Sequence, residues 1–213
     1  WVTRIAEDRF VALLSSDRAE ALRSHLDRYL ITERVELKLI PNGPWKISNR
    51  RTDDWSVPVP SFGEGCVASI HRETPADRQL LPVEAFEELR IRLGVPKDGV
   101  DVDDRNLPQE VDRNTEAISF EKGCYLGQEP VARIDALGRV NWQLRGLVLE
   151  GPPPPAGAEL IRDEKPVGRI TSATASESGA IALAYVRREH AAAGTEVVCQ
   201  GNAATVRELP MTE

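Results

Sequence analysis

Four consecutive prolines, Pro152 to Pro155, constrain this chain more than any other feature, because proline fixes φ and has no N–H to give a sheet ladder. No strand can run through them. After them come short apolar or β-branched runs: Glu159 to Arg162, Val167 to Thr174, Ala180 to Val186, Glu196 to Cys199 and Ala204 to Leu209. Turn signals at Asp163-Glu164-Lys165, Ser178-Gly179 and Gly201-Asn202 separate these runs at the spacing of a small antiparallel barrel or sandwich. With Leu144, Leu147 and Leu149 ahead of the prolines, residues 142–213 are predicted to be an all-β domain.

Upstream the pattern is mixed. Val2 to Ile5 and Phe10 to Leu14 flank the polar turn Ala6-Glu7-Asp8-Arg9 and predict a hairpin. Asp17 stands at an N-cap position with Glu20 three residues on, and Ala19, Leu22, Leu26, Tyr29 and Leu30 recur at helical spacing, predicting a helix over 18–30. Val35, Leu37 and Leu39 alternate with Glu36 and Lys38 as in a half-buried strand. Prolines at 41, 44, 58 and 60 then place a boundary near residue 55. A second helix follows Pro82, with Val83, Phe86, Leu89, Ile91 and Leu93 apolar and a stop at Gly94 and Pro96. Residues 97–114, dense in Asp, Asn and Arg, are expected to form a polar surface connection, and Ala117 to Phe120 a short strand. The expected organisation is an α+β subdomain at 1–55, a second at 56–141 and the β domain at 142–213.

Charge excludes some partners. With 34 acidic against 27 basic side chains the net charge is −7, so no broad positive field is available for direct nucleic-acid binding. No apolar run approaches the roughly 18 residues of a membrane span, and no leader pattern is evident. Cys66, Cys124 and Cys199 are odd in number and widely spaced, which fits neither a disulfide framework nor a zinc site and predicts a reducing, cytoplasmic-type compartment. His25, His71 and His190 have no companion ligand at metal spacing, so no metal set is assigned. Trp1 to Ile5 reads as a strand entered midway and the one methionine is Met211, so an N-terminal portion is expected to be missing; the protein is expected to act as a monomer.

The densest chemistry lies in Lys122-Gly123-Cys124-Tyr125-Leu126-Gly127-Gln128-Glu129. Gly123 and Gly127 allow close-approach or left-handed backbone that shapes the loop. A helix starting near Gln128, with Pro130 in its first turn, would turn free amides and a positive dipole end toward Cys124. Lys122 and Arg133 would reinforce thiolate character, on which nucleophilicity and metal contact both depend. Two outcomes stand open for Cys124: a presented, reactive sulfur, or a small buried hydrophobe. Arg90 and Arg133 are candidates for a ligand carboxylate, since guanidinium meets it through two parallel hydrogen bonds, although Arg90 could equally pair with Glu87. Tyr125 could serve a ligand or the core.

Lys-Gly-Cys-Tyr-x-Gly-Gln-Glu followed by Val131-Ala132-Arg133 resembles the signature of the YgfZ family, a branch of the glycine-cleavage T-protein superfamily. Glu88 to Gly94, Asn106 to Glu110, Leu144 to Leu147 and Val167 to Ser172 resemble further parts of that family. The resemblance implies T-protein-like α+β domains followed by a C-terminal antiparallel β-barrel, tetrahydrofolate in a central channel, and work with iron-sulfur client or assembly proteins, with a downstream effect on tRNA modification. It implies that Cys124 and Lys122 carry the chemistry, and that Glu64, Arg90, Tyr125, Gln128, Glu129 and Arg133 bind the reduced folate. Glu64 rests on Gly63-Glu64-Gly65, a shortened form of the superfamily's pteridine-binding turn. Alternatives are a folate-dependent aminomethyltransferase and a non-catalytic interaction module; whether the chain is an enzyme stays open at this point.

Overall fold

The run Gly179–Arg187 is apolar on both of its faces, and both are covered. The computed structural model describes residues 2–14, 16–32, 34–40, 45–48, 57–62, 66–70 and 82–211. The chain divides into two units, Trp1–Leu80 and Leu81–Glu213.

In the first unit β1 (Val2–Ala6) and β2 (Arg9–Ala12) form the expected hairpin, with Val2 opposite Ala12 and Arg4 opposite Phe10. Helix α1 (Ser16–Asp27) follows, so Asp17 lies inside the first turn, where its charge suits the positive end of the helix dipole. Strands β3 (Trp45–Ser48), β4 (Val57–Pro58) and β5 (Val67–Ile70) form a sheet ordered β3-β5-β4. Leu13, Val59, Phe62, Val67 and Ala68 are buried. The alternating stretch Val35 to Leu39 is not a strand: Val35 and Leu39 are exposed and no described strand pairs with it. Alternation supplies a face, but without a neighbouring ladder or an apolar layer to cover that face it does not make a strand. The boundary expected near residue 55 falls outside the described residues.

The second unit is built on a closed six-stranded antiparallel barrel: β6 (Trp142–Leu149), β7 (Glu159–Arg162), β8 (Lys165–Ser176), β9 (Gly179–Arg187), β10 (Glu196–Cys199) and β11 (Asn202–Arg207), in the order β10-β11-β6-β9-β8-β7. Closure removes the sheet edges that short strands otherwise expose. Because side chains alternate along a strand, Ala180, Ala182, Ala184 and Val186 of β9 pack with Leu147, Leu149, Leu160 and Ile170, while Ile181, Leu183 and Tyr185 form a second cluster. Alanines on one face of β9 suit a narrow barrel, where larger side chains from its neighbours fill the remaining space.

That second cluster is covered by α2 (Val83–Arg92) and the 3-10 turn Pro108–Val111, which contribute Ile91 and Val111 to it. Helix α2 stops at Gly94, whose φ of +68° is cheap only for glycine and whose N–H meets the Ile91 carbonyl at 3.1 Å. The C-terminal stretch returns over the same face: the Met211 N–H donates to the Arg92 carbonyl at 2.7 Å. A β-carbon added to Gly146 would stand 2.6 Å from the Met211 side chain, so the glycine lets Met211 pack directly on β6.

Residues 97–114 are not simply a polar surface connection, because Asp101 is 1% exposed and Val111 is buried. A buried carboxylate is tolerated only when paired and hydrogen-bonded, and Asp101 is both. Arg90 Nη1 donates to its Oδ2 at 2.7 Å, the Lys97 N–H to the same oxygen at 2.9 Å, and Thr171 and Ser172 hydroxyls to Oδ1 at 2.5 and 2.7 Å. The network ties α2, the 97–101 turn and β8 together. Ala117 to Phe120 is not a strand either: α3 (Asn114–Ala117) ends there, and the chain runs on without regular structure to Gly127.

Candidate functional site

Gly127 sits at φ +81° and ψ 9° as the N-cap of α4 (Gln128–Leu137), a left-handed residue at the junction of the 118–126 segment and the helix. A residue with a β-carbon would be strained there. Gly123 carries no such demand, since its φ is not left-handed and an added β-carbon would meet open space. Of the two loop-shaping glycines named from the sequence, the backbone requires only Gly127 for its conformation. Helix α4 is anchored through Val131, 7% exposed, whose carbonyl accepts a 3.0 Å hydrogen bond from Gln109 Nε2. Gly138, at φ +63°, ends the helix by bonding the Ile134 and Asp135 carbonyls.

On this support the Cys124 side chain is exposed, Cys66 is half-buried and Cys199 is buried. The three thiols are therefore physically distinct. Cys66 donates to the Phe62 carbonyl at 3.3 Å, and burial pushes the Cys199 thiol up. Lys122 is engaged locally, its ammonium 4.6 Å from the centre of the Tyr125 ring, an arrangement worth about 0.5–1 kcal/mol where exposed. Tyr125 and Gln128 are half-buried; Glu129 and Arg133 are exposed on the first two turns of α4. Lys122, Cys124, Tyr125, Gln128, Glu129 and Arg133 thus lie within residues 122–133, each at least partly exposed. Phe120 and Leu126, 54% and 72% exposed, flank the thiol in sequence with apolar side chains.

Arg90 stands apart from this group. All five of its N–H donors are spent internally, on Val95, Asp101, Ser172 and, twice, on Glu87. In this conformation it has no donor for a folate carboxylate; pairing with Glu87, the alternative reading, is what the chain does. Glu64 lies outside the described residues. Of the two guanidiniums nominated for a ligand carboxylate, Arg133 is the one with no hydrogen-bond partner among the described residues. Neither of two clefts described on the second unit is lined by the nominated folate residues.

Sequence reasoning passed over Asp101, Thr171 and Ser172. The available signal was one acid among several in Asp98-Gly99-Val100-Asp101-Val102-Asp103-Asp104 and a Thr-Ser pair in an apolar strand, neither of which announces a buried network. Among the described residues no group of three His, Cys, Asp or Glu side chains could hold a metal ion. No helix among them is long and apolar enough to cross a membrane.

Comparison with known proteins places this geometry. Residues 143–211 match the glycine cleavage T-protein C-terminal barrel domain. The closed barrel, β6 to β11, lies within these residues but for Trp142 and is similar to that domain. The aminomethyltransferase T of the glycine cleavage system from Bartonella henselae has a similar fold, with a TM-score of 0.54 at 26% identity over 61% of this chain and 38% of its own. A chloroplastic transferase-like protein of Arabidopsis thaliana is 34% identical over 59% of this chain and 29% of its own length. The mitochondrial iron-sulfur cluster assembly factor IBA57 of Mus musculus is 30% identical over 52% and 32%, and its Neurospora crassa homologue 27% identical over 70% and 40%. The chain spans less than half the length of these relatives. Three of the curated relatives bear iron-sulfur cluster assembly in their names.

Proposed function

We propose that this chain belongs to a protein of iron-sulfur cluster assembly, in which the Cys124 loop contacts a cluster in transit or a protein that carries one. The observation that carries the reading is the exposure of Cys124 on a glycine-capped loop, while Cys199 is buried. Similarity to the assembly factors of Mus musculus and Neurospora crassa supports it. One thiol cannot hold a cluster, which ordinarily takes four protein ligands, so the cluster is cargo and its other ligands come from elsewhere. Lys122, on the ring of Tyr125, holds positive charge close to the loop, which suits an anionic thiolate-ligated cargo.

The reading extends to a reduced folate as ligand and to a YgfZ-like role with downstream effects on tRNA modification. Arg133 is the described residue best suited to the folate carboxylate, because its guanidinium is exposed and unengaged among the described residues. A second reading, folate-dependent aminomethyl transfer, is favoured by the fold similarity to an aminomethyltransferase.

Complementation separates the two. Cells deprived of the complete protein should regain activity of their iron-sulfur enzymes with the wild type and fail to do so with Cys124→Ala. Equal rescue by the variant rejects the assembly role of the thiol, and turnover of an aminomethyl donor with tetrahydrofolate would favour the transferase. Calorimetric titration with tetrahydrofolate tests the ligand separately, with Arg133→Gln expected to weaken binding about tenfold.

A further inference from the structure

Tyr185 is 4% exposed, and its hydroxyl has no hydrogen-bond partner among the described residues, although a buried hydroxyl without one is costly. The residue lines a cleft of about 550 Å³, within the size range of small-molecule sites, and an adjoining one of about 390 Å³. Both belong to the second unit and share no residue with the Cys124 loop.

Strand register explains what the cleft gathers. Arg169 of β8 lies directly opposite Tyr185 of β9, and Glu159 of β7 opposite Arg169, so these three side chains form one row across the sheet. Two residues along β9, on the same face, Arg187 pairs with Trp142 of β6, and its guanidinium sits 5.0 Å from the centre of the indole ring. The 103–110 segment completes the lining with Asp103, Arg105, Asn106 and Glu110.

The charges in this lining are not equally available. Arg105 is spent on Asp103, which it holds through paired hydrogen bonds. Glu110 accepts from the Leu107 N–H at 3.2 Å. Arg169 has neither a hydrogen bond nor an ion pair among the described residues, and the Tyr185 hydroxyl beside it is an unused donor. Two donors side by side on one sheet face match the two oxygens of a carboxylate. The Trp142–Arg187 stack beside them offers a flat wall. The carboxylates of Glu110, Glu159 and Asp103 in the lining disfavour a phosphate dianion more than a single negative charge.

We propose that this cleft is a binding site for a planar monocarboxylate, its carboxylate held between the Tyr185 hydroxyl and the Arg169 guanidinium and its flat body against Trp142 and Arg187. The site is independent of the Cys124 reading.

Benzoate is the probe, titrated into the full chain by calorimetry at constant ionic strength, with inorganic phosphate as competitor. The wild type should show saturable binding in the millimolar range that phosphate does not displace. Tyr185→Phe and Arg169→Gln should each weaken it about tenfold, the loss of one hydrogen bond to a charged group. Tyr185→Phe removes a hydroxyl that bonds nothing among the described residues, so its melting temperature without ligand should equal or exceed the wild type's, which shows that the fold is intact. Absence of saturable binding in the wild type, unchanged affinity in both variants, or displacement by phosphate at equal concentration would each overturn the proposal.

Discussion

Arg90 and Asp101, eleven positions apart on the chain, meet at 2.7 Å with both side chains almost fully buried, and together they clamp α2 and the 97–101 turn onto strand β8. Every polar atom of the arginine is satisfied in this network. Removing one partner of such a pair leaves the other charge buried and uncompensated. Asp101→Ala should therefore lower the unfolding free energy in urea by about 3–5 kcal/mol, well above the cost of an exposed ion pair. A loss under about 1 kcal/mol would mean that water reaches the pair and that the clamp matters little.

The two loop glycines should part company. Gly127→Ala forces a β-carbon into a left-handed N-cap and is expected to cost about 1–2 kcal/mol, seen as faster amide exchange through the first turns of α4. Gly123→Ala meets open space and a non-left-handed backbone, so it should leave exchange in α4 unchanged.

Thiol labelling of the native chain with iodoacetamide, read by peptide mass, should modify Cys124 first and Cys66 more slowly. Cys199 is buried and its thiol is pushed up by that burial, so it should react only as the barrel opens. Rapid native labelling of Cys199 would contradict the closed barrel.

Acid and alkali should act through two groups near the same cleft. Hydrogen bonds from the Arg105 guanidinium and N–H hold the Asp103 carboxyl down to about 2. A depressed acid contributes stability above its unfolded value, near 4, and loses it as pH falls through about 2. A carboxyl-detected NMR titration should place Asp103 at the low end. The Tyr185 phenol is shifted the other way, upward, by burial first and then by the charges of Glu110, Asp101 and Asp103. A raised phenol contributes stability below its unfolded value, near 10, and loses it as pH rises toward the folded one. Tyr185→Phe should flatten the alkaline fall in melting temperature above about pH 10, and an unchanged fall would reject the assignment.

Much of the barrel was legible because its signals are local. Glu159–Arg162 and Glu196–Cys199 appear as strands with the bounds their β-branched composition and flanking turns imply. The start of α4 was legible for the same reason, since Gly127 before Gln128-Glu129-Pro130 marks a helix N-terminus in a few residues. Val35 to Leu39 misled because alternation reports a face without reporting whether a partner strand exists. Asp101 misled in the opposite direction: its burial depends on Arg90, Thr171 and Ser172, two of them some seventy positions away, as no local pattern can show. At the loop, the motif pointed to the thiol, but exposure could not be read from composition, and Arg90 changed from ligand candidate to clamp once its five donors were located.

The central claim concerns the sulfur of Cys124, and reactivation of a purified client iron-sulfur enzyme by the complete protein tests it most directly. The wild type and Cys66→Ala should restore activity at similar rates, while Cys124→Ala, equal to them in melting temperature, should restore little. A Cys124→Ala protein that reactivates the client as fast as the wild type would contradict the account.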